Sequence, residues 1–160
     1  MWLAIRSIAW TIVIPGLVAL YVPWTFFGLR SVSFSVRDPL QLVGWAFAGI
    51  GAALLLLCIW EFLAYGRGTL SPVDPPTRLV VRGLYRYVRN PMYLSVLVLL
   101  LGEGLLTRSL GLLEYTLAWS VWINLVVLFY EEPALSRSFG ASYQTYAGSV
   151  PRWLPRPARS

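Results

Sequence analysis

Polar residues able to do chemistry are concentrated in two segments of a chain that is otherwise strongly apolar. The first, T-R-L-V-V-R-G-L-Y-R-Y-V-R-N-P-M-Y at residues 77–93, contains four arginines and three tyrosines. The second opens with the adjacent carboxylates Glu131 and Glu132, directly after the apolar run I-N-L-V-V-L-F-Y. Two carboxylates at a membrane boundary are costly unless they are hydrated or paired with cations.

The residue types that are absent from the sequence exclude several kinds of active site. The chain has no histidine, no lysine and one cysteine, Cys58. It therefore cannot form a Cys/His metal site, an internal disulfide or a Ser-His-Asp or Cys-His catalytic group. Without lysine, P-loop and Schiff-base mechanisms are excluded too. Cys58 is interpreted as a small buried hydrophobe, so chemistry must use carboxylates, arginines, tyrosines or a borrowed cofactor.

Each polar segment contains a proline at which a helix is expected to begin. Asn90 suits the N-cap position, and Pro91 suits the first helical turn because its missing N–H would have had no partner there. The exposed N–H groups of that helix form an anion site. In the second segment, Pro133 predicts a break, with a new helix starting there and acidic residues at its positive end.

The second segment also carries a repeat with helical spacing. Glu131, Leu135, Phe139 and Tyr143 recur every fourth residue, so an uninterrupted helix would place them on one stripe. Gly140 is a position at which that helix is expected to stop. The alternative is a helix capped by glutamate and packed on the membrane surface without a binding role.

The composition places the chain among integral membrane proteins. Of its 160 residues, 58% are hydrophobic and 12% are charged, about half the charged fraction of an ordinary soluble domain. The mean hydropathy is +0.65. The net charge of +6 comes from arginines that flank the apolar segments. Anionic membrane lipid is therefore the predicted partner, and nucleic acid is not.

An all-α membrane protein with about four transmembrane helices is predicted. The spans are residues 8–27, with expected kinks at Pro15 and Pro23, then 40–65, 91–106 and 112–130. The short turn at residues 107–111 makes the last two spans a tight hairpin. The whole chain, residues 1–160, is predicted to be one domain, in which residues 1–66 form the two N-terminal spans.

The distribution of arginine predicts the orientation in the membrane. The loop at residues 66–90 holds five arginines and the tail after Tyr130 holds four, whereas the loop at residues 28–39 holds two and the turn at Arg108 holds one. The positive-inside rule then places both termini, the long loop and the amphipathic C-terminal segment in the cytoplasm.

Two motifs in this order resemble a known family. R-G-L-Y-R-Y-V-R-N-P-M-Y is followed, one helical hairpin later, by E-E-P-A-L-x-x-x-F-G-x-x-Y-x-x-Y-x-x-x-V-P-R. This arrangement resembles the isoprenylcysteine carboxyl methyltransferases and is similar to the related membrane phospholipid N-methyltransferases. The resemblance implies an integral membrane enzyme that transfers a methyl group from S-adenosylmethionine, in which residues 67–160 form the cofactor-binding core. It also implies a lipophilic or lipid acceptor that enters from the bilayer.

Carried over by motif, the resemblance implies a set of cofactor-binding residues and no assigned catalytic residue. They are Thr77, Arg78, Leu79, Val80, Tyr85, Asn90, Pro91, Met92, Tyr93 and Glu131. The family commonly has histidine where this chain has Asn90, which keeps polar contact but cannot be charged. The prenylcysteine enzymes also place a substrate-binding arginine where this chain has Val127.

The chemistry of these residues fits the cofactor. The helix beginning at Pro91 suits the α-carboxylate, Glu131 suits the α-ammonium, and tyrosine rings offer faces for adenine or the sulfonium. Those rings are Tyr85, Tyr93, Tyr143 and Tyr146. The alternative function is a non-enzymatic lipid-binding or scaffold protein with a vestigial cofactor pocket.

Several charged or polar residues have simpler interpretations. Arg82, Arg86 and Arg89 are interpreted as lipid anchors, and the acids Glu61, Glu103 and Glu114 as ion-paired or hydrated at the interface. Gly102 and Gly104 are predicted to permit close helix contact.

Overall fold

Helices make up all of the regular structure in the part of the chain that can be described. The computed structural model describes residues 13–32, 35, 37–65 and 79–155. Its six helices are α1 (Val13–Phe26), α2 (Pro39–Tyr65), α3 (Pro91–Thr107), α4 (Leu110–Val126), α5 (Glu132–Phe139) and α6 (Ala141–Ser149). Short 3₁₀ turns lie at Leu29–Ser31 and Gly83–Arg86.

Two π-helical turns interrupt the regular hydrogen bonding, and each stands just before a proline. Leu17–Tyr21 lies within α1 before Pro23, and Val127–Glu131 joins α4 to α5 before Pro133. Proline has no N–H, and its ring crowds the carbonyl four residues back. A wider turn removes that conflict without ending the helix. The helix break predicted at Pro133 is therefore wrong, and α4 continues into α5.

Gly140 ends this long helix, as expected from the sequence. Its backbone has φ +52°, a conformation that glycine adopts without a steric penalty. The chain then turns into α6, so Tyr143 does not continue the stripe along the same helix. Tyr143 nevertheless packs against the stripe residues Leu135 and Phe139. The buried cluster consists of Tyr143, Tyr146 and Val150, with Leu79, Leu135, Phe139 and Ala147 packed against it.

Among the residues that the structure describes, two helices are long and apolar enough to cross a membrane. They are Pro39–Glu61 and Leu110–Phe139, with 23 and 30 residues. Val13–Phe26 and Pro91–Thr107 are also apolar but shorter. The two longer helices correspond to the second and fourth predicted spans; the count of four and the side of each terminus stay predictions.

Small residues allow α2 and α3 to pack closely. A Cβ added at Gly51 of α2 would lie 2.8 Å from Cα of Leu99, and one added at Gly102 of α3 would collide with the backbone of Ala48. Gly104 faces Leu113 of α4, whose Cδ2 would lie 2.6 Å from an added Cβ. The predicted packing role of Gly102 and Gly104 is confirmed.

The turn between α3 and α4 is held by one local polar contact and by one contact to the residue that precedes α2. Arg108 adopts a left-handed conformation at φ +51° and forms an ion pair with Asp38. Ser109 caps α4, accepting a hydrogen bond from the N–H of Leu112 at 3.2 Å. Glu103 is 3% exposed, and no described group binds its Oε2. The expected pairing or hydration of Glu103 beside Arg108 is therefore wrong.

The N-terminal helix is attached to α4 through its π turn. In this turn the N–H of Val22 bonds to the carbonyl of Leu17, which removes the regular helical partner of the Val18 carbonyl. The Tyr115 hydroxyl donates to that carbonyl at 3.2 Å. Nearby, Ala19 packs into the core with Val96, Leu99, Leu100 and Leu112.

Candidate functional site

The arginine- and tyrosine-rich segment is fixed from two sides. Glu61, near the end of α2, accepts a hydrogen bond from the N–H of Leu84 at 3.3 Å. The Tyr146 hydroxyl on α6 donates to the carbonyl of Tyr85 at 2.8 Å. Gly83 has φ +52°, and an added Cβ would fall on the Glu61 carboxylate. Glu61 thus holds a backbone turn, which differs from the ion-paired or hydrated role expected from the sequence.

The other predicted residues of this segment are only partly described. Thr77 and Arg78 lie outside the described residues. Leu79 packs against the cluster of Tyr143, Tyr146 and Val150. Val80, the next residue in the sequence, is partly buried.

Asn90 occupies the N-cap position of α3, but its side chain does not cap the helix. Its Nδ2 instead donates to the carbonyl of Arg152 at 3.2 Å. The predicted helix start is therefore right and the predicted capping bond is wrong. Pro91 and Met92 are buried in the first turn of α3, and Tyr93 is partly buried.

Glu131 is a buried carboxylate with one oxygen bound and one oxygen unbound. The Tyr93 hydroxyl donates to Oε1 at 3.1 Å. Oε2 is buried, and nothing in the described part of the chain bonds to it. The edge of the Tyr93 ring meets Trp119 of α4, with the ring centroids 6.2 Å apart. The contact with Trp119 therefore positions the Tyr93 ring, and the Tyr93 hydroxyl in turn positions the Glu131 side chain.

Glu132 meets different partners from those of its neighbour. Its Oε1 accepts hydrogen bonds from Arg89 Nη1 at 2.8 Å and Arg152 Nε at 2.7 Å, and its Oε2 accepts one from Arg152 Nη2 at 2.8 Å. The Arg89 side chain is 13% exposed. Its interpretation as a lipid anchor is therefore wrong, because its guanidinium lies against a carboxylate inside the protein.

The C-terminal tail folds back across this cluster. The N–H of Arg89 donates to the carbonyl of Pro151 at 2.9 Å. Trp153 Nε1 donates to Asn124 Oδ1 of α4 at 2.9 Å. With the bonds from Asn90 and Glu132, the tail is attached to the start of α3, to α4 and to α5.

The sequence interpretation missed Glu132, Arg152, Asn124 and Trp153. The ion pair between Glu132 and Arg152 could have been suspected, because the carboxylate is followed in the same tail by arginines of opposite charge. Arg137 lies closer in sequence than Arg152, so spacing alone selects the wrong partner.

The tyrosines of this cluster keep their hydroxyl protons. Burial raises the pKa of Tyr85 well above its usual value and also raises the pKa of Tyr146. Burial likewise raises the pKa of Tyr143, an effect that the neighbouring Arg89 opposes and the charges of Glu132 and Glu131 reinforce. The Tyr143 hydroxyl therefore lies near all three charged groups, so Arg89, Glu131 and Glu132 belong to one cluster with it.

Two buried polar atoms of this cluster have opposite character and no described partner. They are Oε2 of Glu131, an acceptor, and Nε of Arg89, a donor. Buried polar groups are normally hydrogen-bonded. An α-amino acid group, with an ammonium and a carboxylate, would supply a partner for each. The residues present therefore fit the amino acid end of S-adenosylmethionine.

Comparison with known proteins identifies the family to which the chain belongs. Residues 40–142 match the family described as phospholipid methyltransferase. The chain belongs to this family, which confirms the resemblance seen in the motifs. Together with the two long apolar helices, membership identifies a membrane protein.

One curated relative extends this comparison. The chain is 40% identical over 73 residues to methanethiol S-methyltransferase 2 from Bradyrhizobium diazoefficiens. The match covers 46% of this chain and 27% of that protein, so the chain spans about a quarter of the relative's length. No solved structure matches.

Proposed function

We propose that this protein transfers a methyl group from S-adenosylmethionine to a lipophilic acceptor that reaches the site from the bilayer. The observation that carries the proposal is Glu131, whose buried carboxylate has Oε1 bound to Tyr93 and Oε2 without a described partner. The family membership of residues 40–142 supports the reaction type.

The cofactor is proposed to bind between the start of α3, Glu131 and the tyrosine cluster. The ammonium meets Oε2 of Glu131, and the rings of Tyr85, Tyr93, Tyr143 and Tyr146 offer faces for the adenine or the sulfonium. When bound, S-adenosylmethionine supplies an electrophilic methyl group that passes to the acceptor as the bond from sulfur to that methyl breaks.

The contribution of the protein is alignment and the exclusion of water. In-line displacement needs an unprotonated nucleophile held near the methyl group more than it needs a strong acid or base. A chain without histidine or lysine can therefore carry the reaction. Burial raises the pKa values of these tyrosines, so their hydroxyls stay protonated and serve as donors. Their rings serve as apolar surfaces.

Val127 supports an acceptor without a permanent negative charge. It lies one helical turn before Glu131 and is 1% exposed. An apolar wall at this position gives a carboxylate no counter-ion. The name of the curated relative, methanethiol S-methyltransferase 2, gives a small thiol as its acceptor. Neutral thiols are therefore candidate acceptors for this chain, together with amine-bearing lipids.

The proposal is tested with the full chain in lipid nanodiscs. S-adenosylmethionine binding is measured calorimetrically, and transfer of a labelled methyl group is then measured to an amine-bearing lipid, an alkyl thiol and a prenylcysteine analogue. Binding with transfer to a neutral or amine acceptor is expected. Absence of binding at millimolar cofactor would overturn the enzyme proposal and favour the lipid-binding or scaffold alternative.

A further inference from the structure

Arg89 and Arg152 bind the same carboxylate in different ways. Arg152 uses both Nε and Nη2 on Glu132 in a two-pronged contact, at 2.7 and 2.8 Å. Arg89 uses only Nη1, at 2.8 Å. Its Nε is buried and has no hydrogen-bond partner in the part of the chain that the structure describes. The N–H at Arg89 Nε therefore lacks an acceptor among the described residues.

The position of Arg89 is set independently of any ligand. Its backbone N–H is bonded to Pro151, its guanidinium is held by Glu132, and its side chain is 13% exposed. It also stands directly before Asn90, whose side chain leaves the first turn of α3 uncapped. A buried N–H group without an acceptor is costly, and a carboxylate at this point would remove that cost while facing the positive end of α3.

Glu131 supplies the matching acceptor. Its Oε2 is a second buried atom of the cluster that nothing in the described part of the chain bonds. Tyr143 lies between the two groups, because its hydroxyl is hydrogen-bonded to Arg89 and its pKa is also raised by the charge of Glu131. A ligand that carries both an ammonium and a carboxylate offers each of these atoms a partner of opposite character. A ligand with the ammonium alone would satisfy Glu131 and leave Arg89 Nε buried without a partner.

We propose that Arg89 is a cofactor-binding residue that donates through Nε to the α-carboxylate of S-adenosylmethionine. Glu132 is the positioning residue that orients its guanidinium. This inference rests on the proposed function and adds a binding residue to that site. Arg152 differs from Arg89 in that its Nε is already engaged by Glu132.

The test compares S-adenosylmethionine with its decarboxylated form, which keeps the sulfonium, the ammonium and the adenosine. Affinities are measured in nanodiscs for the wild type, Arg89→Lys, Arg89→Gln and the control Arg86→Lys, which changes an exposed arginine of the same segment. The wild type is expected to prefer the carboxylate-bearing cofactor by about 10- to 100-fold, the usual worth of a charge-assisted hydrogen bond. Both Arg89 variants should bring this ratio close to one, and Arg86→Lys should leave it unchanged.

The ratio separates binding from structural damage, because a loosened tail weakens both ligands equally. An Arg89 variant that keeps the wild-type ratio overturns the proposal. A wild type that binds both ligands equally well also overturns it, whether or not the variants fold, and leaves the proposed function standing. If the wild type binds neither ligand, the proposed function itself fails.

Discussion

Glu131 and Glu132 are neighbours in sequence with different partners in space. Successive residues of a helix point about 100° apart, and here one carboxylate meets Tyr93 whereas the other meets two arginines. The two carboxylates also differ in how their negative charge is balanced. The charge of Glu132 is balanced by Arg89 and Arg152, whereas nothing in the described part of the chain bonds Oε2 of Glu131.

The acceptor preference is tested at Val127. Val127→Arg places a cation one turn before Glu131, at a site that is 1% exposed in the wild type. We expect the variant to gain methyl transfer to a prenylcysteine analogue and to lose transfer to an amine-bearing lipid, because the new charge attracts a carboxylate and repels an ammonium. Rates with both acceptors are compared in wild type and variant. Efficient methylation of the prenylcysteine carboxylate by the wild type would show that Val127 does not set the preference.

The elements that carry the site depend on one close helix crossing. α2 brings Glu61 to the turn at Gly83–Arg86, and α3 begins at the site, so the packing of these two helices sets the distance between both parts. Gly51 and Gly102 permit that packing, because an added Cβ at either would overlap the facing helix.

A pair of glycines on α2 tests this crossing. Gly51→Ala is expected to destabilise the protein by about 1–3 kcal/mol, the usual cost of overpacking, because Leu99 Cα would lie 2.8 Å from the new Cβ. Gly49→Ala meets nothing within 4 Å and should be neutral or stabilising by up to about 1 kcal/mol. Thermal unfolding in detergent measures both variants. Equal midpoints for the two would contradict the close contact.

The ends of elements were predictable where one residue decides them. Pro91 starts α3 and Gly140 ends α5 because each restricts or permits backbone conformations locally. The prediction at Pro133 was wrong, since proline can either break a helix or widen one turn, and here the π turn at Val127–Glu131 lets the helix continue. Asn90 was misjudged because its partner, the carbonyl of Arg152, lies 62 residues away.

At the scale of the whole molecule, the tail completes the site by returning to it. Residues 151–153 bond to the start of α3, to α4 and to α5. Helical periodicity does not predict such long-range contacts, which explains why the two arginines that bind Glu132 were not predicted from the sequence. The distribution of arginine predicts that the 77–93 segment and the tail share one side of the membrane.

That shared side is open to a direct test by labelling. In a Cys58→Ser background, cysteines replace the exposed residues Arg86 and Ser149, and Leu110 at the opposite turn serves as the control. The arginine distribution predicts that only the Leu110 cysteine reacts with an impermeant reagent added outside intact cells. Reaction of the cysteine at position 86 or 149 from outside would contradict the predicted orientation.

The central claim, that Glu131 holds the cofactor, is tested most directly by S-adenosylmethionine affinity in Glu131→Gln. The control is Glu114→Gln, an exposed glutamate at the other end of the same long helix. Loss of a charge-assisted contact worth about 1.5–3 kcal/mol should weaken binding by roughly one to two decades in Glu131→Gln and leave the control unchanged. Unaltered affinity in a folded Glu131→Gln protein, or an equal loss in both variants, would contradict the account.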